Sequence, residues 1–196
     1  ERKIARFAAQ YKQSGDEKYQ HYEILVELLS NQVFHTNYPV RPQQLLTYLQ
    51  RCDTWCSHEF FLANYATGFF DDRPLFTLAE MALERTIKMR SVRHYMFDFL
   101  FHACTEFVRR GLYEQAMHII HAFRKHPDVQ PILQFLSFHL AFVFLEGIIT
   151  GMQGDPKGYE ACDKAIDFLY HTVGYTEYAN NMQKFYRQIR SRAEKG

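Results

Sequence analysis

An all-α fold is what this sequence predicts, and three observations carry the prediction. Apolar residues recur at the 3.6-residue helical period in ten successive stretches, with no convincing run of period-two alternation. Only nine glycines and six prolines punctuate 196 residues, too few for an all-β chain of many short strands. The breaks between stretches are short, which forces neighbouring helices to run antiparallel as hairpins.

The elements follow in order. The first, Arg2 to Lys12, carries Ile4, Phe7, Ala8 and Tyr11 and ends at Gln13-Ser14-Gly15. Asp16 is placed to cap the second, whose apolar face runs Tyr22, Leu25, Leu28, Leu29 and Val33 before Asn37-Tyr38-Pro39 stops it. Pro42 opens a third that ends near Cys52, because a proline's missing N–H costs nothing in the first turn. Asp53 or Thr54 caps a helix from Trp55 to about Thr67, with Gly68 at its end, and Pro74 opens one to about Met89. The remaining stretches are Val92 to Arg110 closed by Gly111, Tyr113 to Lys125 closed by Pro127, Val129 to Thr150 closed by Gly151, Lys157 to Thr172 closed by Gly174, and Thr176 to Glu194. Hairpins beginning near Asp16, Trp55, Val92 and Val129 are 39, 37 and 37 residues apart, a spacing within the range of helical solenoids. Gly111-Leu112-Tyr113-Glu114-Gln115-Ala116 resembles the turn inside a tetratricopeptide repeat. The expectation is therefore a single domain over residues 1–196, a right-handed array of about five helix hairpins.

Composition narrows the function. Lys plus Arg number 23 and Asp plus Glu 22, for a net charge of +1, so no field of one sign draws the chain to nucleic acid or anionic lipid. Four cysteines are too sparse for a disulfide scaffold, and Cys104 and Cys162 fall within apolar helical patterns, which suits a reducing, cytoplasmic setting. The nearest approach to a membrane span, Pro131 to Thr150, is interrupted by Gln134, Ser137, His139 and Glu146, so a buried helix is expected and no membrane partner. Aromatic residues reach 16%, with Phe60, Phe61, Phe69, Phe70, Phe135, Phe138, Phe142 and Phe144 expected chiefly in the core.

No catalytic signature is present. His58-Glu59 begins like a zinc-protease helix, but the second ligand position holds Leu62, and Cys52 and Cys56 have no second pair. No catalytic residue, metal or cofactor is therefore expected. One constellation carries chemistry: His94, Asp98, His102 and Glu106 stand at successive four-residue steps on an otherwise apolar helix. Each step drifts the stripe by about 40°, so two or three members could share a ligand but not all four. A metal site, a polar stripe facing a groove and an ordinary solvated face all fit this pattern.

With Tyr48-Leu49 followed by Trp55, Glu59-Phe60, Leu62 and Asn64, the chain resembles the Rgg/GadR/MutR family of Gram-positive transcriptional regulators. Glu146-Gly147, Gly154-Asp155, Gly158 before Ala165-Ile166-Asp167-Phe168, and Gly174 before Ala179 resemble that family's closing hairpin. The resemblance implies a regulatory domain in a cytoplasmic homodimer that senses a short hydrophobic signalling peptide. DNA would be held only through an N-terminal helix-turn-helix preceding Glu1. The alternative is a constitutive protein-interaction scaffold that takes no ligand.

Two residue sets follow. A peptide in the groove of an array needs polar groups for its amides between apolar walls, and Tyr65, Asp98, Phe99, His102, Phe138, Phe142 and Asn181 are the candidates. The family's inner helix carries Asn where this chain has His102. Tyr178, Met182, Phe185 and Ile189, in 4-3-4 spacing on the last helix, form a short heptad seam that either caps the array or joins two subunits, and a two-fold dimer through it is expected.

Overall fold

A computed structural model describes residues 2–84, 92–125 and 136–193. Among the described residues there are ten α-helices and no strand: α1 (Arg2–Ser14), α2 (Glu17–Phe34), α3 (Pro42–Arg51), α4 (Ser57–Ala66), α5 (Asp72–Glu84), α6 (Arg93–Arg110), α7 (Tyr113–Lys125), α8 (Leu136–Met152), α9 (Pro156–Asp167) and α10 (Thr176–Ala193). The all-α expectation holds. The backbone gathers into two compact units, residues 1–103 and 104–196, with the division falling within α6. The expected beginning of the eighth stretch at Val129 and the ends of the fifth and tenth lie outside the described residues.

In the first unit, α1 packs on α2, and α2 on α3 and α4. Asp16 caps α2 as its spacing suggests, its carboxylate accepting from the Lys18 N–H at 3.1 Å. His35 closes that helix in the left-handed conformation at φ 53°, and Asn31 then holds the following loop by accepting from the Tyr38 N–H and donating to the Tyr38 carbonyl, each at 2.9 Å. Val33, expected on the buried face, lies in this frayed last turn and is exposed. The cap of α4 differs from expectation. Neither Asp53 nor Thr54 provides it; Glu59 reaches back to accept from the Cys56 N–H at 2.8 Å, so the helix begins at Ser57. Trp55 sits just before that helix, fully buried, and its indole donates to the Leu49 carbonyl at 3.1 Å.

The second unit is organised by α8 and α9. A Cβ built on Gly147 would meet the Gly158 carbonyl at 2.7 Å, one on Gly158 would meet the Gly147 carbonyl and the Gly151 N–H at 2.4 Å, and one on Gly151 would meet the Tyr159 ring at 2.3 Å. Partner numbers that rise on one helix as they fall on the other mark an antiparallel pair whose backbones touch. Gly151 is therefore a packing residue inside α8, which runs on to Met152, and does not end the helix. Cys162 lies in the same seam, its thiol donating to the Phe144 carbonyl at 3.4 Å, and burial pushes its pKa up to about 12. Arg124 ties α7 to α8 through a fork onto Glu146, one arm at 3.0 Å. The last turn of the ninth stretch widens to a π-helical turn over Phe168–Val173, closed by Gly174 at φ 78° as expected.

This seam generates a direct test. Gly158→Ala would press on the backbone of Gly147 and Gly151 and on the Thr150 Cβ, with no flexible side-chain end to displace, and should cost about 3 kcal/mol or more in urea denaturation. Gly68→Ala, which meets nothing within 4 Å, should change stability by less than about 0.5 kcal/mol.

Candidate functional site

The α6 stripe is accessible where the sequence places it. Met96, Phe97, Phe99, Leu100 and Ala103 form the buried face, with Phe99 against Trp55 at 5.7 Å between ring centroids. The opposite side leaves His94 and His102 exposed and Asp98 and Phe101 half-buried. Burial raises the Asp98 carboxyl above the ordinary carboxylate range, against smaller opposing pulls from His102 and His94. Among the described residues no side chain or backbone group donates a hydrogen bond to it. Glu106 behaves differently, closing on Arg109 and on Arg110, the latter at 2.8 Å. Among the described residues no three His, Cys, Asp or Glu side chains converge as metal ligands.

The first unit also exposes aromatic surface. Tyr65 and Phe61 on α4 pair at 4.8 Å, Phe61 meets Tyr22 of α2 at 6.0 Å, and Tyr22 meets Phe7 of α1 at 5.6 Å. Phe61 is 39% and Tyr65 50% exposed, so Phe61, expected in the core with Phe60, is a surface residue. Adjacent helical positions are rotated by about 100°, and only Phe60 turns inward.

The other sequence candidates divide. Phe99 and Phe142 are buried packing residues of their own units, Phe142 against Phe123 at 4.3 Å, and present no wall to a ligand here. Their helical spacing could not say which aromatic faces inward. Phe138 is half-buried and Asn181 exposed, both in the second unit; Asn181 lines a shallow pocket of about 430 Å³ with Tyr178. Of the heptad seam, Met182 and Ile189 are buried inside the second unit, whereas Tyr178 is exposed and Phe185 half-buried beneath the Arg109 guanidinium.

One cluster escapes sequence reading. His21 of α2 and His58 of α4 share a hydrogen bond at 3.4 Å, and the second nitrogen of His58 meets the Tyr22 hydroxyl at 3.2 Å. Tyr48 of α3 stacks on His21 at 4.0 Å and donates to Glu59 at 2.6 Å. Burial alone would raise the Glu59 carboxyl, but the bonds from Tyr48 and the Cys56 N–H hold it below its ordinary value. Burial lowers both histidines, and His58 lowers His21 further. The residues lie 37 apart in sequence and share no motif; only the Tyr48 and Glu59 identities hinted at them.

The sign of the resulting pH dependence is fixed. A histidine held below its ordinary value stays neutral in the folded protein, so the unfolded chain takes up more protons as pH falls through about 6.5. Stability should therefore fall between about pH 7.5 and 5.5. His58→Gln should flatten that slope in paired urea titrations, and an unchanged slope would mean the pair does not govern it.

Comparison with known proteins is consistent with this geometry. No curated protein matches the chain. Among solved structures, the SHP pheromone receptor Rgg2 of Streptococcus dysgalactiae superposes with a TM-score of 0.78 at 13% identity, over 94% of this chain and 69% of that one. A cysteine-to-serine variant of the same receptor gives 0.78 at 13% identity, over 94% and 67%. A candidate transcriptional regulator of Listeria monocytogenes EGD-e gives 0.77 at 13% identity, over 97% and 69%. At such identity these structures speak for the fold alone. The sequence itself matches the family described as the HTH-type transcriptional regulator Rgg, C-terminal domain, over residues 6–184. With nine-tenths of its length inside that match, the chain belongs to the Rgg family of transcriptional regulators and constitutes its C-terminal domain.

Proposed function

We propose that this domain is the sensor of its regulator and binds a short hydrophobic signalling peptide on the first unit. One observation carries the reading: an aromatic run from half-buried Tyr22 to exposed Phe61 and Tyr65 occurs in the same compact unit as the half-buried Asp98 carboxylate, which lacks a donor among the described residues. Aromatic faces anchor apolar side chains, and a desolvated carboxylate gains most from a peptide N–H or ammonium. His102 and His94 add donors and acceptors beside it. Phe138 and Asn181 are the accessible candidates on the second unit, and Phe99 and Phe142 hold helices in place from below. That the similar Streptococcus dysgalactiae structure is a pheromone receptor supports a peptide as ligand class.

In this reading the protein is a cytoplasmic homodimer, and DNA is held by a helix-turn-helix domain outside residues 1–196. A net charge of +1 suits a sensor that leaves DNA contact to another domain. No helix among the described residues is long and apolar enough to cross a membrane.

Titrating a library of short hydrophobic peptides should give a saturable binder. Tyr65→Ala and Phe61→Ala should each weaken it about tenfold or more, as aromatic anchors do. Asp98→Asn and His102→Ala should weaken it as well. A chain that binds no peptide but holds a folded protein partner would instead be the constitutive scaffold.

For the dimer, the seam offers only its accessible half, because Met182 and Ile189 are occupied within the unit. Light scattering should report a dimer. Tyr178→Asp with Phe185→Asp should convert it to a folded monomer, and a wild-type monomer at high micromolar concentration would rule the seam out.

A further inference from the structure

Between α2 and α3 lies a second pocket, about 510 Å³, open at one side and separate in composition from the aromatic surface above. His21 lines it although the residue is only 6% exposed. One nitrogen of that ring is bonded to His58, and among the described residues nothing bonds the other, so Nε2 is the polar atom that His21 offers to the cavity. The hydrogen-bond chain behind it can run in two directions. If the Tyr22 hydroxyl donates to His58, then His58 donates to His21 and Nε2–H is a donor toward the pocket; reversed, Nε2 is an acceptor.

The pocket's walls narrow the ligand. Glu17 and Arg51 place one charge of each sign on the lining, so a simple anion or cation meets its like. Gln20, Gln43, Gln44 and Thr47 supply both donors and acceptors, beside the apolar surface of Ile24 and Tyr48. The geometry points to a binding site for a free, polar α-amino acid, its carboxylate held by Arg51 and by His21 Nε2–H, and its ammonium by Glu17. A carboxylate there selects the donor direction of the Tyr22–His58–His21 chain. Occupancy thereby joins α2 and α3 through one ligand, with α4 coupled through the His58–His21 bond. The site is independent of the peptide surface, and either can fail without the other.

The test uses the 196-residue chain and two-dimensional amide NMR, with each of the twenty free amino acids added at about 10 mM, a concentration that detects millimolar affinity. Saturable shifts in α2 and α3 with at least one polar amino acid are expected. N-acetylation or C-amidation of that amino acid should abolish them. Arg51→Gln, at an exposed position, should weaken binding about tenfold, as should His21→Gln, whereas Tyr65→Ala should not. Should His21→Gln fail to fold, Arg51→Gln and Gln44→Ala decide the matter. Silence from all twenty amino acids, equal binding of the N-acetylated form, or indifference to Arg51→Gln would overturn the assignment.

Discussion

The arrangement of the first unit depends on where one indole is buried. Trp55, the sole tryptophan, is 2% exposed, donates to the last turn of α3 through the Leu49 carbonyl, packs edge-on to Phe60 at 5.2 Å and rests on Phe99 of α6 at 5.7 Å. Three helices are thus fixed to a single rigid ring whose only polar atom is satisfied. Because Phe60 and Phe99 face that ring, Phe61 must turn outward on α4 and Asp98 must turn away from the core on α6. The surface assigned to a ligand is the reverse side of this packing.

That dependence explains what could be read from the sequence. Helical periodicity and cap chemistry gave the number of helices and several of their ends, since Asp16, Pro42 and Gly174 act through neighbours a few residues away. Periodicity also found the His94, Asp98, His102 series, because four-residue steps are local geometry. It could not rank Phe60 against Phe61, or decide for Phe99 and Phe142 between core and ligand wall, since an inward face is defined by the partner helix. Gly151 was misleading for the same reason: a glycine that ends a helix and one that admits a tyrosine ring have the same letter. The His21–His58 bond depends on two helices whose register no short-range rule specifies.

The polar content of the first unit is unevenly satisfied, and the imbalance is informative. Glu59 collects donors from Tyr48 and the Cys56 N–H, and Glu27 is buried against Arg41, so these carboxylates are structural. Asp98, half-buried, has no such donor among the described residues. In the function proposed above, a ligand would complete this carboxylate beside two histidines, and that is where a sensor would gain on binding.

The contact between α8 and α9 has a consequence for how this sequence can vary. Gly147, Gly151 and Gly158 occupy one another's missing side-chain volume, together with Cys162 and Tyr159. None of the five can enlarge unless another shrinks or the helices separate. Over evolutionary time they should change as a group, by paired and compensating steps, while the solvent-facing residues between them drift freely. Among relatives as distant as 13% identity, a trio of small residues at these positions would mark the hairpin more durably than any run of matching letters.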